Sequence, residues 1–297
     1  MTISDPPPAA RGKPRLVRIG DREVLTHGVE RRWFGDLYHY CMAAPWPVFF
    51  LGFAVTFFFV NTVFATLYWL GDAPVANARP GFEDHFFFSI ETLATVGYGD
   101  MHPQTRYGHL VATLEIFTGM SLIAVMTGLV FARFARPRAR VIFADTPVVG
   151  AHDGMPTLML RMANQRYNMI AGATAKLWLT RVEETLEGEK LRRVRELRLA
   201  RSENPMFALS WTIFHVIDET SPLHGADASV LADSDASVVV TFTGIDEISG
   251  QVLHARRGYT HDMMGWGRQY VDILDLDAEG RAHIDYAKFH LTREEAR

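Results

Sequence analysis

The chain has 297 residues, with 30 Lys and Arg against 34 Asp and Glu, a formal net charge of −4 and a mean hydropathy of +0.01. Those averages describe an ordinary soluble chain of two domains and offer no basic excess for nucleic acid, which is not expected as a partner. A single Cys, Cys41, excludes an intrachain disulfide, and no His or Cys spacing fits a metal site. The averages mislead, because a strongly apolar third is mixed with a polar two-thirds.

In chain order, residues 1–30 are polar and contain Pro6-Pro7-Pro8, with no apolar h-region of a secretory signal; a disordered start is expected. Residues 31–46, around Trp33, Phe34, Leu37, Tyr38 and Tyr40, read as an amphipathic helix. Residues 48–70 are uncharged and mostly apolar, and at 1.5 Å per residue they reach about 34 Å, enough for a bilayer core. Tyr68-Trp69 close this span where an interfacial aromatic belt belongs. Residues 82–94 suit a short helix, with Glu83 and Asp84 in the first turn and an apolar run behind them. Its negative end points into Thr95-Val96-Gly97-Tyr98-Gly99-Asp100. Residues 107–135 form a second long apolar segment that ends in basic residues. Arg31, Arg32, Arg133, Arg136, Arg138 and Arg140 flank one side of the two spans, and only Arg79 and Arg106 the other, which places both termini in the cytoplasm.

The hexapeptide TVGYGD at 95–100 resembles the selectivity filter of potassium channels. There, backbone carbonyls from four loops replace the water shell of K⁺, and alternate positions need conformations natural to Gly. The resemblance implies K⁺ at Thr95, Val96, Gly97 and Tyr98, with Val96 and Tyr98 bracing the loop from behind. It also implies a homotetramer, because one such loop cannot enclose an axis.

From residue 141 the texture changes to short β-like runs. Candidate strands lie at 140–144, 157–162, 175–184, 191–199, 208–218, 238–245, 251–259, 270–276 and 282–289. Turns are expected at Glu187-Gly188-Glu189 and Asp277–Gly280, and a break at Asn204-Pro205. This spacing argues a β-sandwich over 137–290 with a tail at 291–297. Together with the stretch from Gly128 to Arg140 and His215-Val-Ile-Asp218-Glu219-Thr-Ser221-Pro222-Leu223, the chain resembles the prokaryotic inward-rectifier potassium channels, the KirBac family. That resemblance implies two transmembrane helices with a pore helix and filter, followed by a cytoplasmic immunoglobulin-like β-sandwich. It makes 31–46 a slide helix ahead of a pore domain at 47–136, and the bacterial inner membrane the expected location.

The family match supplies roles residue by residue. Glu91, one turn before the filter, is the residue expected to brace it by hydrogen bonding; many eukaryotic relatives pair it with an Arg where this chain has Met101. Ile123 takes the cavity position where strong rectifiers carry an acid that attracts polyamines and Mg²⁺, so weak rectification is expected from this site. Met120, Ile123 or Ala124, Thr127 and Phe131 fall at helical spacing and make one stripe, and Phe131 matches the inner gate, where four rings close a pore by dewetting. Gly119 and Gly128 are candidate hinges, or sites of close packing. Glu115, ionisable within the second span, is by default functional there, or else snorkels or sits protonated against the pore helix; these readings stay open.

Arg133, Arg136, Arg138 and Arg140 form the densest basic cluster. Its expected partners, beyond positive-inside anchoring, are anionic phospholipids, including phosphoinositides. Eukaryotic members carry Arg-Trp at the start of the first span, whereas this chain has Pro45-Trp46, which leaves the sign of lipid control open. Ba²⁺ is a further expected blocker. K⁺ is the permeant ion and no cofactor is expected. An enzyme is not supported, since no nucleophile elbow, phosphate loop or metallohydrolase signature is present. The alternatives are a K⁺ channel whose cytoplasmic domain senses another ligand, and a membrane-anchored sandwich that binds a protein, which leaves TVGYGD unexplained.

Overall fold

The computed structural model describes residues 15–19, 22–26, 36–137, 139–166 and 168–295. They divide near residue 136 into two compact units. Within the stretch expected to be disordered, β1 (Arg15–Ile19) and β2 (Arg22–Thr26) form an antiparallel pair, a correction to that expectation for these ten positions. Their Leu, Val, Ile and Thr content is strand-like, and the polar, Pro-rich segment before them outweighed it in the reading of 1–30.

The helical unit begins with α1 (Leu37–Ala43), the described part of the expected slide helix; Arg31, Arg32 and Trp33 lie outside the described residues. Helix α2 (Trp46–Trp69) follows, with Pro47 in its first turn, where a missing N–H costs nothing. A two-residue strand β3 (Val75–Ala76) leads to α3 (Phe82–Leu93), and β4 (His102–Pro103) pairs back on β3. Helix α4 (Arg106–Phe134) is started by the Thr105 hydroxyl, which accepts from the Gly108 N–H at 3.0 Å. Both α2, of 24 residues, and α4, of 29, are long and apolar enough to cross a membrane. The buried residues of α4 are Gly108, Val111, Ala112, Glu115 and Gly119, a single face at helical spacing. With Tyr68, Val75 and Phe88, Val111 and Ala112 make the small core of this unit.

The second unit is all-β apart from short turns of helix. Its strands are β5 (Val141–Phe143), β6 (Val148–His152), β7 (Met155–Asn164), β8 (Ile170–Glu184), β9 (Lys190–Leu197), β10 (Glu203–Phe207) and β11 (Ser210–Val216). After α5 (Ala228–Asp233) come β12 (Ser237–Asp246), β13 (Val252–Thr260), β14 (Gly265–Trp266), β15 (Arg268–Tyr270), β16 (Leu274–Leu276), β17 (Ala282–Ile284) and β18 (Thr292–Glu294). One sheet runs β10-β8-β12-β13, with β9 also on β8; the other runs β11-β7-β6-β14, with β5 also on β7. Alternation supplies the core between them. Leu177 and Leu179 of β8, Val238, Val240 and Phe242 of β12, and Leu158, Leu160 and Met162 of β7 are buried in one cluster. This is the sandwich expected from the spacing of the β-like runs.

Several details depart from the expected strands. Asn204-Pro205 does not break the chain but lies inside β10, at the edge of its sheet, where a strand tolerates Pro. The run expected at 270–276 is two strands, β15 and β16, and the run expected at 282–289 ends in a 3-10 turn at Tyr286–Lys288. Residues expected as a tail form β18, which pairs with β15, while the Glu295 carboxylate accepts from the Ala151 N–H at 3.0 Å. This C-terminal segment explains why β7 is buried on both faces. Ala163 packs in a second cluster with Ile273 and Phe289, and the Arg161 guanidinium stacks on Tyr270.

The motif from His215 to Leu223 is a locked corner. His215 donates from Nδ1 to the Arg198 carbonyl at 2.7 Å, which leaves Nε2 to accept from the Ser221 hydroxyl at 2.8 Å. The same hydroxyl oxygen accepts from the Leu223 N–H at 3.1 Å, and Asp218 caps the Thr220 N–H at 2.9 Å. Burial pushes the His215 imidazole below its ordinary range, so it is neutral here.

Candidate functional site

The TVGYGD loop leaves the C-terminal end of α3 in an alternating backbone. Thr95, Gly97 and Gly99 have φ of 58°, 57° and 88°, and the residues between them do not share the left-handed region. Alternation of hand turns successive peptide planes so that carbonyls face one side, which a strand or helix cannot do. Gly97 and Gly99 adopt it without a Cβ penalty; Thr95 adopts it despite one, so the pattern begins two residues earlier than the glycines alone indicate.

The loop is anchored at both ends. The Glu91 carbonyl accepts from Val96 N–H at 2.8 Å and from Gly97 N–H at 3.4 Å, and the Thr92 carbonyl from Thr95 N–H at 3.1 Å. Contact of Glu91 with the TVGYGD loop is thus made by its backbone; among the described residues of one chain its carboxylate has no hydrogen bond. It lines a cavity of about 340 Å³ behind the loop, with Phe88, Thr95, Met101 and Ile116. At the outer end, Asn77 Nδ2 donates to the Asp100 carbonyl at 2.7 Å. Arg79 grips Asp84 in the first turn of α3, with Nη2 to Oδ1 at 2.8 Å and the backbone N–H to Oδ2 at 2.8 Å. Val96 and Tyr98 are 49% and 77% exposed, so nothing within one chain backs their side chains.

A buried polar cluster joins α2, α3 and α4. Asn61 and Tyr68 of α2, Ser89 of α3 and Glu115 of α4 are each 0% exposed. Tyr68 Oη donates to Glu115 Oε2 at 2.7 Å, and Ser89 Oγ bonds Glu115 Oε1 and lies 3.0 Å from Asn61 Oδ1. Glu115 therefore does not snorkel; of the readings left open, it packs against α3. One turn further along α4, a Cβ at Gly119 would strike the Leu93 carbonyl at the end of α3, which gives this glycine a packing reason. Gly128 has open space around it. Ile123, Thr127 and Phe131 are exposed and follow at four-residue steps beyond the packed face of α4.

Two long apolar helices around a short one that delivers an alternating-backbone TVGYGD, followed by a sandwich, narrow the possible relatives sharply. The inward rectifier potassium channel C-terminal domain matches residues 141–296, and the ion channel family matches residues 48–136. Inward rectifier potassium channel Kirbac3.1 of Paramagnetospirillum magnetotacticum is 40% identical over 98% of this chain and 99% of its own length. The chain belongs to the inward-rectifier potassium channel family.

Its kinship extends beyond the prokaryotic branch. G protein-activated inward rectifier potassium channel 3 of Mus musculus is 30% identical over 98% of this chain and 80% of its own length. G protein-activated inward rectifier potassium channel 1 of Bos taurus is 29% identical over 95% of this chain and 62% of its own length. This inward rectifier is accordingly a membrane protein and a potassium channel, and not an enzyme.

The basic cluster of the channel is not uniform. Arg133, half-buried at the end of α4, donates to the Cys41 carbonyl and to the Ala44 carbonyl at 2.6 Å, and its guanidinium lies 4.4 Å from the Trp46 ring centre. Arg136 Nη1 donates to the Met42 carbonyl at 2.8 Å. Both satisfy open carbonyls at the C-terminal end of α1, and both complement its dipole. Arg140 is exposed and belongs to the other unit, where it lines a cavity of about 590 Å³ with Asn164, Arg166 and Asn168. Arg138 lies outside the described residues. Sequence reasoning missed Ser89 and Tyr68 as partners of Glu115, because single polar residues on apolar helices carry no spacing signal, and it missed Asn77, which lies in the turn after β3. Glu115 stood out only by its cost in a membrane.

Proposed function

We propose that four copies of this chain assemble a K⁺-selective pore in the bacterial inner membrane, with both termini in the cytoplasm. The alternating hand at Thr95, Gly97 and Gly99 carries the proposal, because it turns a row of carbonyls to one side and leaves them without partners unless other copies and an ion complete the ring. K⁺ sits at the level of Thr95, Val96, Gly97 and Tyr98, and the exposed Val96 and Tyr98 side chains are covered by neighbouring copies. Asp100 closes the outer mouth, and Glu91 braces the inner half.

Ile123 and Thr127 line the cavity, and Phe131 forms the constriction. Gly128, with free space, is the bending point, while Gly119 fixes α4 against the filter-bearing segment. Without an acid at position 123, Mg²⁺ and polyamines block weakly from this site; Ba²⁺ blocks at the filter. Anionic lipid, including phosphoinositide, acts through Arg136, Arg138 and Arg140, while Arg133 is committed to holding α1.

Purified protein in K⁺-loaded liposomes tests the reading through uptake of radioactive rubidium. Uptake that Ba²⁺ abolishes and excess external Na⁺ leaves unchanged is expected. Silence in several lipid compositions, persisting in Phe131→Ala, overturns it.

A further inference from the structure

The cluster of Asn61, Tyr68, Ser89 and Glu115 has one more acceptor than its hydroxyl protons can serve if Glu115 is ionised. Tyr68 spends its proton on Glu115 Oε2. Ser89 has a single hydroxyl proton, yet Glu115 Oε1 and Asn61 Oδ1 at 3.0 Å both approach its oxygen; the Asn61 carbonyl, at 3.2 Å, lies inside α2 and is served by the helix ladder. The Asn61 amide cannot turn to help. Its Nδ2 donates to the Phe57 carbonyl at 2.8 Å, and a flip would set oxygen against oxygen there. No Lys, Arg or His pairs with Glu115 among the described residues, and a fully buried carboxylate without a cation is expensive.

One added proton resolves the deficit. We propose that Glu115 is a neutral carboxylic acid that clamps the pore-helix segment, and so positions the filter. Glu115 donates from Oε1 to Ser89 Oγ, Ser89 donates to Asn61 Oδ1, and Asn61 donates to the Phe57 carbonyl. Every polar atom of the chain of bonds is then used once in the correct sense. The clamp sets the distance of α3 from both spans, and α3 carries Glu91, whose carbonyl anchors Val96 and Gly97. Glu115 is thus a positioning residue two steps removed from the ion, and its effect on permeation rests on the reading of residues 95–100 as a filter.

Two measurements separate this proposal from the channel reading. In the infrared spectrum of the full-length protein, wild type should show a carbonyl stretch of a protonated carboxylic acid that disappears in Glu115→Gln. An unchanged band overturns the proposal whether or not the protein conducts. In rubidium uptake, Glu115→Gln supplies an amide N–H to Ser89 and an oxygen to Tyr68, so flux and indifference to Na⁺ should be retained. Glu115→Ala strands Ser89 and Tyr68 and should lower rubidium uptake about tenfold or admit Na⁺ as a competitor. Ser89→Ala should fall on the same side, and its combination with Glu115→Ala should cost less than the two losses added. Wild-type behaviour in Glu115→Ala, or equal damage from Gln and Ala, overturns the clamp. Wild type without K⁺-selective uptake overturns the channel reading, and the infrared result then decides the protonation alone.

Discussion

At the scale of single residues, side chains divide into those proposed to face the permeation path and those that hold structure. Ile123 is exposed on α4 and supplies no charge, so Ile123→Asp should strengthen block by spermine by about tenfold or more, read as inhibition of rubidium uptake. Equal block in both proteins would reassign the cavity position. His215 is the opposite case, neutral and locked between Arg198 and Ser221. Its folded-state value is depressed by burial, so the unfolded chain takes up a proton first as pH falls through about 6.5. The stability it contributes is present above that value and is lost as pH falls toward the folded value. His215→Phe should cost about 1–3 kcal/mol at neutral pH by stranding the Arg198 carbonyl and Ser221 hydroxyl. It should also flatten the fall in thermal midpoint between neutral pH and the onset of carboxylate protonation, followed by circular dichroism of the full chain.

At the scale of elements, the short α1 is held by hydrogen bonds to its last carbonyls more than by apolar burial, since Met42 is its one buried residue. Arg133 and Arg136 supply those bonds. Arg133→Ala removes two of them and the stacking on Trp46, and should loosen the helix by about 1–3 kcal/mol. Cys41, half-buried and the single Cys of the chain, reports this directly. Its rate of labelling by a maleimide should rise about fivefold or more in Arg133→Ala and remain raised in Arg133→Lys, whose ammonium cannot span two carbonyls in a planar fork. An unchanged rate would mean that α1 is held by other contacts. The β8–β9 hairpin shows a different economy. Glu183 gathers Arg181 at 2.9 Å and Arg195 at 2.8 Å, with Arg193 at 3.7 Å, and the bond from Arg195 leads the effects that hold its carboxyl down to about 2.

At the scale of the whole molecule, the proposed lipid control falls to Arg136, Arg138 and Arg140, of which Arg136 also holds the Met42 carbonyl of α1. Neutralising Arg136 and Arg138 together should abolish the response of rubidium uptake to phosphoinositide, whichever its sign, and leave the indifference to Na⁺ intact. A preserved response would move the lipid site elsewhere, and lost selectivity would mean that the variant is misassembled. The cavity beside Arg140, lined also by Arg166, is where an anionic headgroup would next be sought.

The order of elements, the two membrane spans, the filter motif and the sandwich were legible in the sequence, because each rests on local chemistry. Length and hydropathy identify α2 and α4, glycines at alternate positions mark an alternating backbone, and period-two alternation marks the strands of a sandwich. Even so, Thr95 had to adopt a left-handed backbone with no glycine to announce it. The tertiary structure alone decided what partners across long separations do. Glu115 meets Ser89, 26 residues away, and Tyr68, 47 away; Arg133 reaches Cys41, 92 away; and Glu295 reaches Ala151, 144 away. No periodicity encodes such pairs. Their energy depends on shared burial and hydrogen-bond direction, which exist only once the helices and sheets have packed.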